Sequence, residues 1–295
     1  MKGMLFVMGR GIGQVMFQNN ALSGFLMLAG ILLNSWQMAL LAIAGNVVST
    51  LAAYFLGYCR EDIRNGLYGF NGTLVGMAVG VFMPVTVVSL LLLIAGACLS
   101  AWIVRLISLQ RWLPGLTAPF ILSVWLLLGA CHWIMPFLLL PSGEAVAVRT
   151  FSCLQAFCLS FGQVMFQGDT ILAGLLFLSG VLVNSRINAC YAVLGALLST
   201  LFAWLIGVDY AVLNAGLMGY NGVLCAVALG DKTWKGGMRA AVAVLLSVLL
   251  QITGMEWGIT TLTAPFVVAV WTVAGLRKLG GKVKTETMNN EILQA

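Results

Sequence analysis

A small set of polar and aromatic residues recurs in this chain at matched spacing. Gln14 and Phe17 stand three apart, as do Gln163 and Phe166, and a helix puts residues three apart on one face. Phe70 and Leu74 are four apart, and so are Tyr220 and Leu224. Thr117 and Thr263 each precede a proline by two residues. A helix start or break is expected there, and carbonyls released from helical bonding can face a cavity. Glutamine carbonyls, threonine hydroxyls and broken-helix carbonyls are acceptors, and the rings are flat apolar walls. A slot built from them suits a flat, uncharged, donor-rich solute. Each N–H given to such a ladder replaces a bond to water and offsets a desolvation cost of a few kcal/mol. A hydrated cation would lose more and meet no counter-charge.

The same residues have a purely structural reading. Gln and Thr often join helices inside membranes, and glycine-rich stretches such as 66–80 form close-packing faces. Duplication favours function, yet a duplicated fold repeats its packing residues too. Asn71 and Asn221 each follow a Gly-aromatic pair, and both readings stay open for them: lining a path, or bonding a neighbouring helix.

The elements that must position these groups follow from composition. Apolar types make up 61% of the 295 residues and charged types 8%, against about 25% in soluble domains. The charges are too few to cover a water-soluble surface, so an all-α polytopic membrane protein is predicted. At ~20 residues per crossing, the chain has room for about ten spans and no separate soluble domain. The seven cysteines lack CxxC spacing and sit mostly in apolar runs, which favours packing over metal or disulfide roles. No cofactor is implied. The run interiors hold almost no ionisable side chain, which argues against ion coupling. His132, whose repeat partner is Lys278, is expected at the membrane interface. Paired Asn-Pro-Ala motifs are absent, only one histidine is present, and no nucleophile or acid–base pair has sensible spacing. Water or glycerol channels, two-histidine ammonium channels and enzymes are disfavoured accordingly.

The chain is internally duplicated. Gly13–Gln18 (GQVMFQ) returns at 162–167, and the match then continues at an offset of 150 through Asn34-Ser35, Ser49-Thr50-Leu51 and Gly66–Gly72. Leu116–Phe120 (LTAPF) returns as Leu262–Phe266. Residues 1–145 form the first unit, 146–277 the second, and 278–295 a Lys-containing tail expected to be cytoplasmic. Apolar runs fall near 21–34, 36–57, 66–83, 84–104 and 114–140, then near 171–184, 187–207, 216–230, 240–253 and 259–276. A short, more polar piece (5–19, 152–168) heads each set. Five spans per unit is odd, so the second unit is expected upside down. The basic residues agree: fourteen of fifteen fall on one side and only Arg149 on the other, which puts both termini in the cytoplasm. Those residues are orientation signals and lipid-headgroup partners, not a nucleic-acid surface. The short heads read as re-entrant half-helices, and the interface of the two units as the place for a pore.

At these residues the sequence resembles the urea transporter family. Leu113-Pro114-Gly115-Leu116-Thr117-Ala118-Pro119-Phe120 fits that family's LPxxTxPF motif, and the second copy keeps Thr263, Pro265 and Phe266 but has Ile259-Thr260 in place of Leu-Pro. The QVMFQ and GLYGFNG segments resemble it as well, so the similarity covers about residues 10–276. The resemblance, of the bacterial type, implies homotrimers in a cell membrane (here a bacterial inner membrane) with a separate passive urea channel in each protomer. It implies that Phe17, Phe70, Phe166 and Tyr220 wall the outer and inner urea sites, that Leu74 and Leu224 narrow the middle, that Thr117 and Thr263 bond urea at the constriction, and that Gln14 serves one mouth. Gln163 is the duplicate of Gln14. Tyr220 adds a hydroxyl that Phe70 lacks, and Phe166 is bulkier than the expected wall. Either narrows the slot or broadens acceptance towards other small amides. A passive channel for another small amide or for ammonia is the alternative.

Overall fold

The computed structural model describes residues 2–110, 113–141 and 148–276. Among them there are helices and no strands. The first half runs α1 (Lys2–Gln14), α2 (Ala21–Asn34), α3 (Trp36–Phe55), α4 (Arg60–Arg64), α5 (Gly69–Phe82), α6 (Val87–Leu109) and α7 (Ala118–Ile134). The second half repeats that order as α8 (Cys153–Gly162), α9 (Ile171–Asn184), α10 (Arg186–Leu205), α11 (Tyr210–Asn214), α12 (Tyr220–Leu229), α13 (Trp234–Glu256) and α14 (Ala264–Leu276). The repeat is visible in the caps too. Ser35 and Ser185 each end one helix and begin the next, with the serine oxygen accepting the N–H three residues on.

The two halves meet through α2 and α9. Gly30 lies against Phe177 and Ala173, whereas Gly180 lies against Ser23 and Met27, so these equivalent helices cross antiparallel. Behind them the glycines let backbones touch. A Cβ on Gly24 would collide with the Gly9 carbonyl of α1, and one on Gly174 with the Cys158 carbonyl of α8. Small residues at such crossings are what association without a hydrophobic drive requires. One core runs through both halves, from Ile12 of α1 and Val15 just after it to Phe266 and Val270 of α14.

Four helices are long and apolar enough to cross a membrane: α3, α6, α10 and α13. The others that coincide with expected spans have 10 to 17 residues and are shorter than a straight crossing needs. The outer surface is apolar, with Phe55, Leu91, Trp133, Phe137 and Trp234 all exposed. This is a membrane protein with multiple apolar helices. The observed ends differ modestly from the sequence reading. The run expected from 66 begins as a helix only at Gly69, after the short α4, and α4 and its equivalent α11 have too few residues to register as periodic segments. The expected unit boundary at 145/146, the tail at 278–295 and Lys278 lie outside the described residues.

Candidate functional site

Each half first builds a reversed turn. After α1 the chain turns at Phe17, with a left-handed φ of 63°, and after α8 at Phe166, with φ 58°. The N–H of Gln18 returns to the Gly13 carbonyl and that of Phe17 to Gln14; Gln167 and Phe166 repeat this with Gly162 and Gln163. This is the helix-ending motif whose left-handed position glycine usually fills. Here a phenylalanine takes it, and such a residue persists only when its surroundings hold it. What is gained is a ring placed immediately beyond the helix end. Gln14 and Gln163, one turn back, donate their Nε2 to the backbone carbonyls of Asn65 (3.0 Å) and Ala215 (2.9 Å). Their Nε2 tethers therefore leave the amide oxygens as the groups presented outward.

The centre is made by the starts of α7 and α14. Leu116 and Leu262 also have left-handed φ, 48° and 49°, and put Thr117 and Thr263 at the helix starts. The hydroxyls do not cap their own helices; they bond each other at 2.7 Å while almost wholly buried. The helix N–H groups are satisfied elsewhere. Ala118 bonds Gly115, proline has none to give, Phe120 donates to Asn71 Oδ1 (3.0 Å), and Ile121 bonds Thr117. Ala264, Pro265, Phe266 and Val267 do the same with Thr261, Asn221 and Thr263. The asparagine question is thereby answered for the oxygens, which cap a neighbouring helix. Asn71 also lines a cavity.

Two cavities flank the threonine pair. The first, about 260 Å³, is lined by Gln14, Phe17, Phe70, Asn71, Leu116 and Pro119 with parts of α6. The second, about 300 Å³, is lined by Gln163, Phe166, Phe120, Tyr220, Gln251, Thr261, Leu262 and Thr263, among others. Their walls interlock: Phe17 meets Phe266 edge to face at 5.9 Å, and Phe120 meets Phe166 the same way at 6.2 Å. Among the described residues no acid or base lines either cavity, and Tyr220 carries the only titratable side chain of the lining. The N-terminal, positive ends of α7 and α14 converge between them, which disfavours a cation there. Arg10, whose guanidinium bonds the Arg64 carbonyl, stands one turn before Gln14 on α1, and Arg105, over the Tyr58 ring, stands next to Val104 on α6, so both lie on chain segments that line the first cavity.

The ten residues singled out from sequence fall into two groups. Gln14, Phe17 and Phe70 share the first cavity, Gln163, Phe166, Tyr220 and Thr263 the second, and Thr117 joins them through its hydroxyl bond. Leu74 and Leu224 line neither; both are fully buried in the shared core. Several contributors escaped the sequence reading. Phe120 and Phe266 of the LTAPF copies were visible as repeats, but nothing local showed that each ring would meet the other half's aromatic. Trp125 donates to the Thr260 carbonyl and Trp271 to the Pro114 carbonyl, so each bracing ring holds the other half's central turn. Both tryptophans match at offset 146, which is the signal that could have found them. Gln251 lies in an apolar helix with valine at the equivalent place, and carries no repeat signal. A larger groove of about 630 Å³ between α10 and α13 faces outward and contains none of the duplicated polar groups. Among the described residues no group of His, Cys, Asp and Glu could hold a metal ion.

The urea transporter family profile matches residues 5–278. Urea transporter 1 of Rattus norvegicus is 30% identical over 263 residues, covering 81% of this chain and 67% of its own length. The Ovis aries protein of the same name is 30% identical over 268 residues, covering 82% and 67%. That of Mus musculus is 31% identical over 263 residues, covering 81% and 67%. With a match of that extent running through the paired turns and the threonine-proline motifs, the chain belongs to the urea transporter family, whose members are transport proteins and not enzymes.

Proposed function

We propose that this chain is a passive, channel-type path for urea across a cell membrane. The observation that carries the reading is the Thr117–Thr263 hydroxyl pair, closed at 2.7 Å between two ring-walled cavities in which no described residue is an acid or base. Urea is flat, neutral and rich in N–H donors. Entering either cavity, it lies between rings and gives its N–H groups to Gln14 or Gln163. At the centre it replaces the bond between the two hydroxyls, each of which can donate or accept. Leu74 and Leu224 back this constriction from the core. No step calls for a proton or a coupling ion, so transport runs downhill.

The architecture that supports this reading is a pair of inverted five-span repeats, with α1 and α8 as the re-entrant heads. The antiparallel crossing of α2 and α9 and the reciprocal tryptophan and phenylalanine contacts favour it. Shorter helices at the interface suit a pore that broken helices approach from both faces. The arginines beside the first cavity make that side cytoplasmic under the positive-inside rule, with both termini there. Both cavities belong to one chain, so each protomer of a homotrimer carries its own pore, and the apolar exterior is left for lipid and neighbouring protomers. The test is solute swelling of proteoliposomes. Urea should equilibrate far faster than in protein-free vesicles, and glycerol should not. Equal urea rates in both preparations would remove the reading.

A further inference from the structure

The two cavities differ where three touching positions break the repeat. Phe70, Val104 and Gly115 in the first are replaced by Tyr220, Gln251 and Thr261 in the second. Val104 and Gln251 are each the eighteenth residue of matched 23-residue helices. The replacements form one network, and its polarity is set by a backbone group. The Phe266 N–H donates to Asn221 Oδ1 at 3.2 Å, which fixes the Asn221 amide with Nδ2 as its other face. That Nδ2 donates to Gln251 Oε1 at 3.1 Å, and the Thr261 hydroxyl donates to the same oxygen at 2.9 Å. The Tyr220 hydroxyl donates to the Leu262 carbonyl and stands 3.3 Å from the same Gln251 oxygen. Gln251 therefore cannot flip without setting donors against donors. Its Nε2 has no acceptor among the described residues, although the side chain is only 4% exposed and lines the second cavity. In the first half, where valine stands, the Asn71 Nδ2 is buried with no partner.

Resting on the urea reading above, we propose that Gln251 is a specificity-determining residue: its fixed N–H group receives the carbonyl oxygen of the permeant in the second cavity. The donor is held in place and faces the cavity, away from bulk water, where the low local dielectric strengthens the bond that an amide oxygen makes with it. The Tyr220 hydroxyl removes the Leu262 carbonyl from the acceptors on that side, whereas the Leu116 carbonyl keeps no donor among the described residues. The second cavity thus reads the solute's oxygen as well as its N–H groups, whereas the first reads its N–H groups alone. The ligand class is a small primary amide with an oxygen acceptor.

Urea and thiourea separate this role from simple packing, because thiourea keeps the shape and the N–H donors while its sulfur accepts weakly. Both fluxes are measured in proteoliposomes for wild type, Gln251→Val and Val104→Gln. Gln251→Val should lower the urea-to-thiourea flux ratio about tenfold, the worth of one such hydrogen bond, with thiourea flux within about twofold of wild type. Val104→Gln gives Asn71 Nδ2 an acceptor and the first cavity a donor, so it should raise both the thermal midpoint and the ratio. An unchanged ratio in Gln251→Val, or equal loss of both solutes, overturns the proposal while the urea reading stands on the wild-type flux. Wild-type vesicles that carry urea no faster than empty ones overturn both.

Discussion

The Thr117 and Thr263 hydroxyls satisfy each other in a place where water is scarce, and this makes their energetics separable from their function. Replacing one by valine leaves the other hydroxyl buried without a partner, at about 1–3 kcal/mol. Replacing both removes donor and acceptor together and is nearly neutral. Thermal unfolding in detergent should therefore show each single variant, Thr117→Val or Thr263→Val, melting lower than wild type and the double variant recovering most of the loss. Urea flux should fall in all three. If the double variant melts lower than either single one, the hydroxyl pair does not account for the buried site. The threonines were legible because two prolines marked helix starts at matched places. Their direct contact was not, since 146 residues of chain separate them. The left-handed Phe17, Leu116, Phe166 and Leu262 were invisible for a related reason: local preference argues against those residue types at positive φ.

At the scale of helices, what positions the site is close approach and end-capping. Gly24 and Gly174 let α1 and α8 lie against α2 and α9, and through them set where Phe17 and Phe166 turn. Gly24→Ala or Gly174→Ala must push backbone from backbone, which costs about 1–3 kcal/mol as overpacking. The thermal midpoint should drop and urea flux should fall with it. Gly129→Ala, on α7 with nothing within 4 Å of the added carbon, is the control and should leave both unchanged or the midpoint slightly higher. The apolar runs located nearly every long helix, and α9 coincides with its expected span. The edges moved where tertiary bonds override propensity. Asn71 and Asn221, which the sequence left undecided, cap α7 and α14 from neighbouring helices, a role that requires the folded partner to be seen.

For the whole molecule, the duplication and the apolar, many-helix character were readable because they are statistical properties of long stretches. The asymmetry at Gln251 was not, being a single departure inside an apolar helix. The absence of acids and bases among the described residues of both cavity linings predicts a flux that is flat with pH across about 5–8, the range where only groups near neutrality titrate. Asp231, in the turn before α13, does not disturb this. Hydrogen bonds from the Thr233 hydroxyl and N–H, with Arg239 beside it, hold its carboxyl below the usual range. A depressed carboxylate contributes stability above its unfolded pKa and loses it only as pH falls through the folded one, so the effect lies on the acid side of this window. A sigmoidal pH profile within 5–8 would place a titrating group on the path. The central claim is downhill urea movement through the threonine constriction, and stopped-flow urea flux into proteoliposomes tests it most directly. Wild type should carry urea fast, at a rate indifferent to an imposed pH or Na⁺ gradient, and Thr117→Val/Thr263→Val should collapse it. Uphill accumulation driven by either gradient, or undiminished flux in the double variant, would contradict the account.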